Sequence, residues 1–488
     1  MALNQRRPQA QKVIRRRFLG DAAFIGMSAW LAGRGAWADE TSPQISRSKN
    51  ERLAFACIGI GGKGDGDSLH VSHFGDVVAI CDIDDRLLER KSRQPGFERA
   101  ERFNDYRQMF DRLGKSIDAV TVSTPDHHHA IAAMMAIRLG KHVYCQKPLT
   151  RTVHECRALR EAARKYNVCT QMGNQGTATN EFRRSVEILR AEALGPVREV
   201  HVWTNRPIWP QAPTVMSRPP EAPVPAGVHW DQWIGPAPMR PYAEYDMGNG
   251  RKVGAYHQEN WRGYWDFGTG AIGDMGCHTA NLPFMGLDLD YPTSIEARCG
   301  DLNDETYPSW ATIVYQFPAR GERPPVRLTW WEGHRPDSRD PRKRNLPGPR
   351  ITRNFDLRDS GALIIGPRAM MISHSDYGAD QKIIFGADAE GVTINVPQSM
   401  SRLAEPGRPF DSDEAQKGEW VSAIRAGDYR KATANFDYAG LLAETILLGD
   451  VAIKAATKLE WDGPAMRITN NPEANKLLTR EYRAGWTL

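Results

Sequence analysis

From residue 52 onward the chain alternates short apolar runs with stretches of helical periodicity. "RLAFACIGIGGKG" (52–64), "DVVAICDID" (76–84), "IDAVTVSTP" (117–125), "HVYCQKP" (142–148) and "NVCTQMG" (167–173) each hold a near-continuous hydrophobic stretch. Residues 127–139 and 152–166 show the 3.6-residue repeat of helices packed on one face. Strands buried on both faces and separated by helices predict a parallel, doubly wound α/β sheet over 52–174.

The texture changes after about residue 175. "PVREVHVWTN" (196–205) alternates like a half-buried strand, and 205–260 is rich in Pro, Trp and Tyr without periodicity. That predicts a long ordered loop or lid. "SWATIVYQFPA" (309–319), "VRLTWWEG" (326–333), "ALIIGPRAMMIS" (362–373) and "GVTINVP" (391–397) predict an open, mainly antiparallel sheet. Helical patterns return at 415–426 and 438–456. A second α/β domain over 175–460 and a tail over 461–488 complete the expected organisation; there are no internal repeats.

Charge changes the picture only at the N-terminus. The formal net charge is +5, but residues 1–38 hold seven Lys/Arg and one Asp, which leaves about −1 (5 − 6) for the rest. The chain therefore offers no electrostatic case for nucleic acid or an anionic membrane. The stretch from Ile14 to Ala38 has a basic start, a short apolar middle and a small-residue end. It predicts an export signal cleaved near Ala38, too broken by Asp21 and Gly26 to span a membrane. Arg15-Arg16 followed by Arg17-Phe18-Leu19 predicts the twin-arginine route, hence a periplasmic protein without a membrane anchor. Residues 39–51 read as a linker. The seven cysteines form no CxxC pair, and Cys57, Cys81 and Cys145 lie in apolar runs as buried hydrophobes.

The first apolar run ends in a GxGxxG, Gly59, Gly61 and Gly64, with an extra Gly62. It follows a strand and precedes a helix, and Asp82 closes the next strand 18 residues past Gly64. This is the dinucleotide fingerprint: a tight turn, close backbone approach to a pyrophosphate, and a carboxylate for the adenosine ribose. Asp82 would repel a 2′-phosphate, so NAD is favoured over NADP. Ligands of such sheets lie at the carboxyl edge, where Thr124, Pro125, His129, Gln146, Lys147 and Asn174 fall. Adjacent His127, His128 and His129 would point in different directions from a helix start, and no metal site is expected. Lys147 would sit near the nicotinamide and polarise a substrate hydroxyl.

"GAIGDMGCHTANLP" (270–283) sets Asp274 and His278 four residues apart, on one face if the stretch is helical. Alone it reads equally as an acid–base pair, a metal site, or a capping Asp with a core His. Aromatic residues crowd 203–265, among them Trp203, Trp209, Trp230, Trp233, Trp261, Tyr264 and Trp265. They could stack on pyranose faces or simply be core. Arg262 and His257 could bind hydroxyls or a carboxylate, and His334 could reach the same pocket.

These motifs, with "CDID", "YCQKPL", "TQMGNQG", "EALGPVREVHVW" and "GDMGCH", resemble the Gfo/Idh/MocA oxidoreductases. The closing run 460–486 resembles an exported subgroup of that family. The resemblance covers almost everything after residue 52. It implies a Rossmann domain plus an open-sheet α/β domain, NAD(P) held at their interface, a carbohydrate substrate and a homo-oligomer; export, which removes access to free NAD, further implies that the cofactor stays tightly bound. Its "EKP" lysine matches Lys147, and its Asp-x-x-x-His pair matches Asp274 and His278. The family's usual Glu before that lysine is Gln146 here. On this basis Lys147, Asp274 and His278 form the catalytic set, with His278 as base, Asp274 orienting it or binding a hydroxyl, and Lys147 stabilising the oxyanion. Lys147, Trp261, Arg262, Asp274 and His278 are the expected substrate contacts. Two enzyme functions fit: dehydrogenation of a sugar, sugar acid or polyol, and glycoside hydrolysis through transient oxidation at C3 with NAD retained. A non-catalytic sugar-binding role is the third.

Overall fold

The computed structural model describes residues 52–246, 250–338, 340, 342–385, 394–404 and 407–488. The expected export signal and linker, 1–51, lie outside the described residues.

The first sheet has six strands: β1 (Leu53–Ile58), β2 (Gly75–Cys81), β3 (Glu101–Phe103), β4 (Ala119–Val122), β5 (His142–Cys145) and β6 (Thr170–Met172). They run parallel in the order β3-β2-β1-β4-β5-β6. Five match the apolar runs. β3 does not, because "ERF" is a three-residue, half-exposed strand with no hydrophobic run to mark it. The helix Asp126–Arg138 is buried almost all round. Val153–Lys165 starts at a capping box: Thr152 Oγ1 accepts from the Glu155 N–H at 3.3 Å, and Glu155 Oε2 accepts from the Thr152 N–H at 2.9 Å.

The second sheet has nine strands. β7 (Glu199–Trp203) is followed by a long connection that holds a short hairpin, β8 (Glu244–Asp246) and β9 (Lys252–Gly254). Then come β10 (Ser294–Cys299), β11 (Trp310–Phe317), β12 (Val326–Gly333), β13 (Gly361–Ile365), β14 (Ala369–Ser373), β15 (Gln381–Phe385), β16 (Leu459–Asp462) and β17 (Arg467–Ile468). The order is β15-β14-β13-β7-β12-β11-β10-β16-β17, antiparallel except where β7 meets β12. The expected α/β class with an open, mainly antiparallel second sheet is therefore what the chain forms.

Two details differ from the sequence reading. Of the strand expected at 391–397, residues 391–393 lie outside the described residues, and 394–397 form no strand. Ile394 and Val396 pack as isolated side chains against the core instead. The boundary at 460 falls inside β16, whose buried Leu459 and Trp461 pair onto the edge of the sheet.

The 20-residue helix Phe436–Ala455 joins the two sheets. It is buried along nearly its whole length, packing on Val153–Lys165 on one side and on β10 and the helix Gly270–Thr279 on the other. A helix apolar all round belongs between two layers. All seven cysteines are unbridged; Cys57, Cys81 and Cys145 are buried. No described helix is long and apolar enough to cross a membrane.

β12 carries a buried acid, Glu332, whose carboxylate has one hydrogen-bond partner among the described residues, the Trp330 indole N–H, 2.7 Å from Oε2. Burial pushes its carboxyl up to about 8. The folded state thus holds a proton that the unfolded chain releases near 4.5, so stability falls as pH rises from there to about 8. Glu332→Gln removes that penalty. Its melting temperature is expected to gain on the parent steadily over this range and then hold constant, the plateau being worth roughly 5 kcal/mol. Thermal unfolding as a function of pH checks it.

Candidate active site

The glycine loop leaves β1 at Gly59, which has φ +76° and whose missing Cβ would lie 2.6 Å from Ser123 O. A side chain at Gly64 would run into Gly59 O, so Gly64 serves by letting the helix Lys63–Ser72 pack tightly rather than by facing a ligand. That helix starts at Gly62 without a side-chain cap; the Gly64 and Asp65 N–H groups turn back onto Gly61 O and Gly62 O, and no side chain competes with a ligand for the helix start. Asp82 accepts from the Ile60 N–H at 2.9 Å and the Asp84 N–H at 3.1 Å, and burial raises its carboxyl. Gly59, Gly61, Gly62, Asp82, Thr124, Pro125, His129, Gln146 and Lys147 line one cavity of about 520 Å³. Its uncapped helix start, side-chain-free loop and Asp82 are what a dinucleotide requires, so the residues present fit that cofactor. Asn174 does not line it; both polar atoms of its buried amide lack partners among the described residues.

The three histidines each spend ring nitrogens on protein oxygens. His127 and His128 lie 2.8 and 2.9 Å from Trp233 O. His129 bridges Pro148 O at 2.7 Å and Thr124 O at 2.8 Å, tying the ends of β4 and β5 together. Gln146 donates its amide to Asp67 Oδ2 at 2.8 Å. Asp67 also takes Ser123 Oγ at 2.8 Å, Lys63 at 2.6 Å and the fully buried Lys417 at 2.8 Å. Burial alone would raise the Asp67 carboxyl, but Lys417 and Lys63 hold it well below the usual range. The position occupied by an acid in the resembling family is thus an amide that donates to an acid on the neighbouring helix. A glutamate there would set two carboxylates against each other.

The helix Gly270–Thr279 reaches the cavity because it is built of small residues: a side chain at Gly276 would strike Ile446 of the central helix. Lys147 Nζ donates to Asp274 Oδ1 at 2.8 Å and to Asp274 O at 2.7 Å. Arg262 Nε lies 3.3 Å from Oδ1 and Arg206 Nε 3.7 Å from Oδ2. Against the cost of burial, these three cations hold the Asp274 carboxyl well below its ordinary value. Asp274 is therefore a permanent counter-ion. It does not orient His278, which forms no hydrogen bond among the described residues and whose buried Nδ1 has no partner. Burial, then the Lys147 charge, pushes the His278 imidazole well below 6.5, so it is neutral at physiological pH.

Residues the sequence did not single out complete the site. Tyr377, from the turn between β14 and β15, packs edge-on to His278 with ring centroids 5.0 Å apart and accepts from Gln175 Nε2 at 3.0 Å. Trp486, near the C-terminus, also lines the cavity. The aromatic crowd divides. Trp203, Tyr264 and Trp265 are core; Trp230 stacks on Trp233 at 4.5 Å; Trp233 and Trp261 line the cavity. Arg262 lies 4.3 Å over the Trp261 ring, and His257 lines the cavity as well. His334 does not: it bridges to Arg344 on the sheet.

Residues 53–174 match the model of the Gfo/Idh/MocA oxidoreductase family's NAD-binding Rossmann fold, and residues 208–322 match that family's C-terminal α/β domain. The chain belongs to the Gfo/Idh/MocA family. Among its relatives are a levoglucosan dehydrogenase from Pseudarthrobacter phenanthrenivorans and a glycosyl hydrolase family 109 protein from Solibacter usitatus. The first is 35% identical over 118 residues, 24% of this chain and 29% of the relative. The second is 29% identical over 196 residues, 38% and 44% of the two. The match thus spans less than half the length of each. Among solved structures, the Caulobacter crescentus aldose–aldose oxidoreductase in complex with glycerol aligns with TM-score 0.52 at 16% identity, covering 84% of this chain and 100% of that one. At that distance the two chains share a fold.

Proposed function

We propose that this chain is an NAD-dependent oxidoreductase that oxidises a CH–OH group of a sugar, sugar acid or polyol. The observation that carries the reading is the Lys147–Asp274 ion pair beside a neutral, unpartnered His278 at the wall of the glycine-loop cavity. A nicotinamide held there by the glycine loop, Asp82 and the ends of β4 and β5 would supply the hydride acceptor.

The side chains divide the remaining work. An ammonium has three N–H donors, and Lys147 spends two on Asp274. The third is free to donate to the substrate oxygen as that oxygen loses its proton and becomes a carbonyl. His278, neutral and without a competing partner, accepts the proton. Asp274 holds and aims the ammonium, and Arg262 and Arg206 keep Asp274 ionised. Asp82 supports NAD over NADP.

The hydrolase reading keeps the same residues and is supported by the family 109 relative. There the substrate would be oxidised at C3, lose its aglycone by elimination, add water and be reduced again, so the nucleotide ends as it began. Export, proposed from Arg15-Arg16 and the segment to Ala38, favours either a retained nucleotide recycled by a second substrate or this closed cycle.

The test is to denature purified protein, identify the released nucleotide by mass spectrometry, and then assay a panel of free sugars and glycosides. NAD is expected in the supernatant. Dehydrogenation gives net reduced-nicotinamide absorbance; hydrolysis releases aglycone with none. Protein that neither carries nor takes up NAD contradicts both.

A further inference from the structure

A second cavity, of about 280 Å³, shares Lys147, Glu259, Arg262, His278 and Tyr377 with the cofactor cavity and is lined beyond them by Arg206, Ile208, Trp209 and Asp376. We propose that it is a subsite for a second pyranose ring, so that the substrate is a disaccharide or the end of a glycan and not a free monosaccharide. This rests on the carbohydrate reading above.

Three features of its wall point to a ring of this chemistry. First, Ile208 is 72% exposed, the most exposed large hydrophobic residue among the described residues, and it lines the cavity next to Trp209. The Trp209 indole is fixed: Nε1 donates to Gln211 Oε1 at 2.7 Å, and the ring abuts Gly263, where any side chain would collide with it. A rigid aromatic face beside an exposed aliphatic one suits the apolar C–H faces of a pyranose. Second, the carboxylates of Glu259 and Asp376 line the same cavity and accept no hydrogen bond among the described residues. Free carboxylates are acceptors for hydroxyl donors. Third, the charges cancel. Lys147, Arg206 and Arg262 face Asp274, Glu259 and Asp376. A site for an anionic substituent would carry surplus cations, whereas mixed, balanced charges suit a neutral polyhydroxylated ring.

The shared residues set the order. The ring to be oxidised lies against Lys147 and His278, and the next ring reaches Trp209 and Ile208. Of all the aromatics between 203 and 265, Trp209 is the one this structure places in the outer cavity.

Titration calorimetry on NADH-loaded protein tests this with methyl glycosides, the corresponding disaccharides, and aryl glycosides. At least one disaccharide is expected to bind about tenfold more tightly than its methyl glycoside. Trp209→Ala and, separately, Ile208→Ser should bring that ratio toward one, with the melting temperature of Ile208→Ser unchanged. A ratio of one in the parent, or one unmoved in both variants, overturns the subsite while leaving the carbohydrate reading standing. Tighter binding of aryl glycosides than of any disaccharide, with the same dependence on Trp209, replaces the second sugar by an aglycone and overturns it too. Failure of every saccharide to bind overturns the subsite and the reading beneath it.

Discussion

Lys147→Ala is expected to lower kcat/KM by about a thousandfold while the protein keeps its bound nucleotide. The size follows from the role. Removing a preorganised donor to a developing oxyanion costs roughly 10²–10³ in rate. Here the lost donor is also a largely buried cation at the cavity wall. Asp274 does not collapse with it, because Arg262 and Arg206 remain within ion-pair distance. The variant should therefore fold and retain nucleotide, and the loss should appear in catalysis. Lys147→Arg is expected to recover little: a planar guanidinium cannot reproduce two short bonds to Asp274 with a third donor turned outward. Steady-state kinetics with the nucleotide content of each preparation checks this. A loss smaller than tenfold would remove Lys147 from the chemistry.

His278→Ala should cost roughly 10²–10⁴ in kcat, the range for a positioned general base. Its pH signature is more specific than its size. Burial and the neighbouring Lys147 ammonium depress the imidazole well below 6.5. The base form is already dominant at mildly acidic pH, so the acid limb of kcat/KM should lie well below 6.5. Lys147→Met removes a positive charge, which lets the imidazole hold its proton more readily. The residual activity of that variant should show an acid limb moved upward. Stability follows the same sign. A buried histidine with a depressed pKa contributes no penalty above 6.5 and destabilises the fold as pH falls toward its folded value. An acid limb unchanged by Lys147→Met would show that His278 is not the titrating base.

What the sequence disclosed about this site was local. Gly59, Gly61, Gly64 and Asp82 are legible because a strand, a turn and a helix start fall within thirty residues and each glycine answers a steric demand. Asp274 and His278 are legible because an i, i+4 pair on a helix shares a face. Partnerships across the chain were not. The family resemblance placed Lys147, Asp274 and His278 together, but it could not show that Asp274 belongs to Lys147, 127 residues away, and not to His278. Tyr377 sits in a turn with no periodicity to mark it. Lys63 and Asp67, four apart in "KGDGD", were a visible clue to an ion pair. Nothing local predicts that Lys417 would join them from a helix 350 residues on and that Gln146 would donate to the same carboxylate. The fold shows the same divide: apolar runs announced five strands of the first sheet, whereas "ERF" gains its strand only by pairing with β2.

A crystal structure of the protein with NAD bound tests the central claim most directly. The nicotinamide ring is expected against the wall formed by Lys147 and His278, its reacting carbon facing both and its pyrophosphate over Gly61 and Gly62. A nucleotide whose nicotinamide points away from those two side chains would contradict the account of catalysis and leave only the fold.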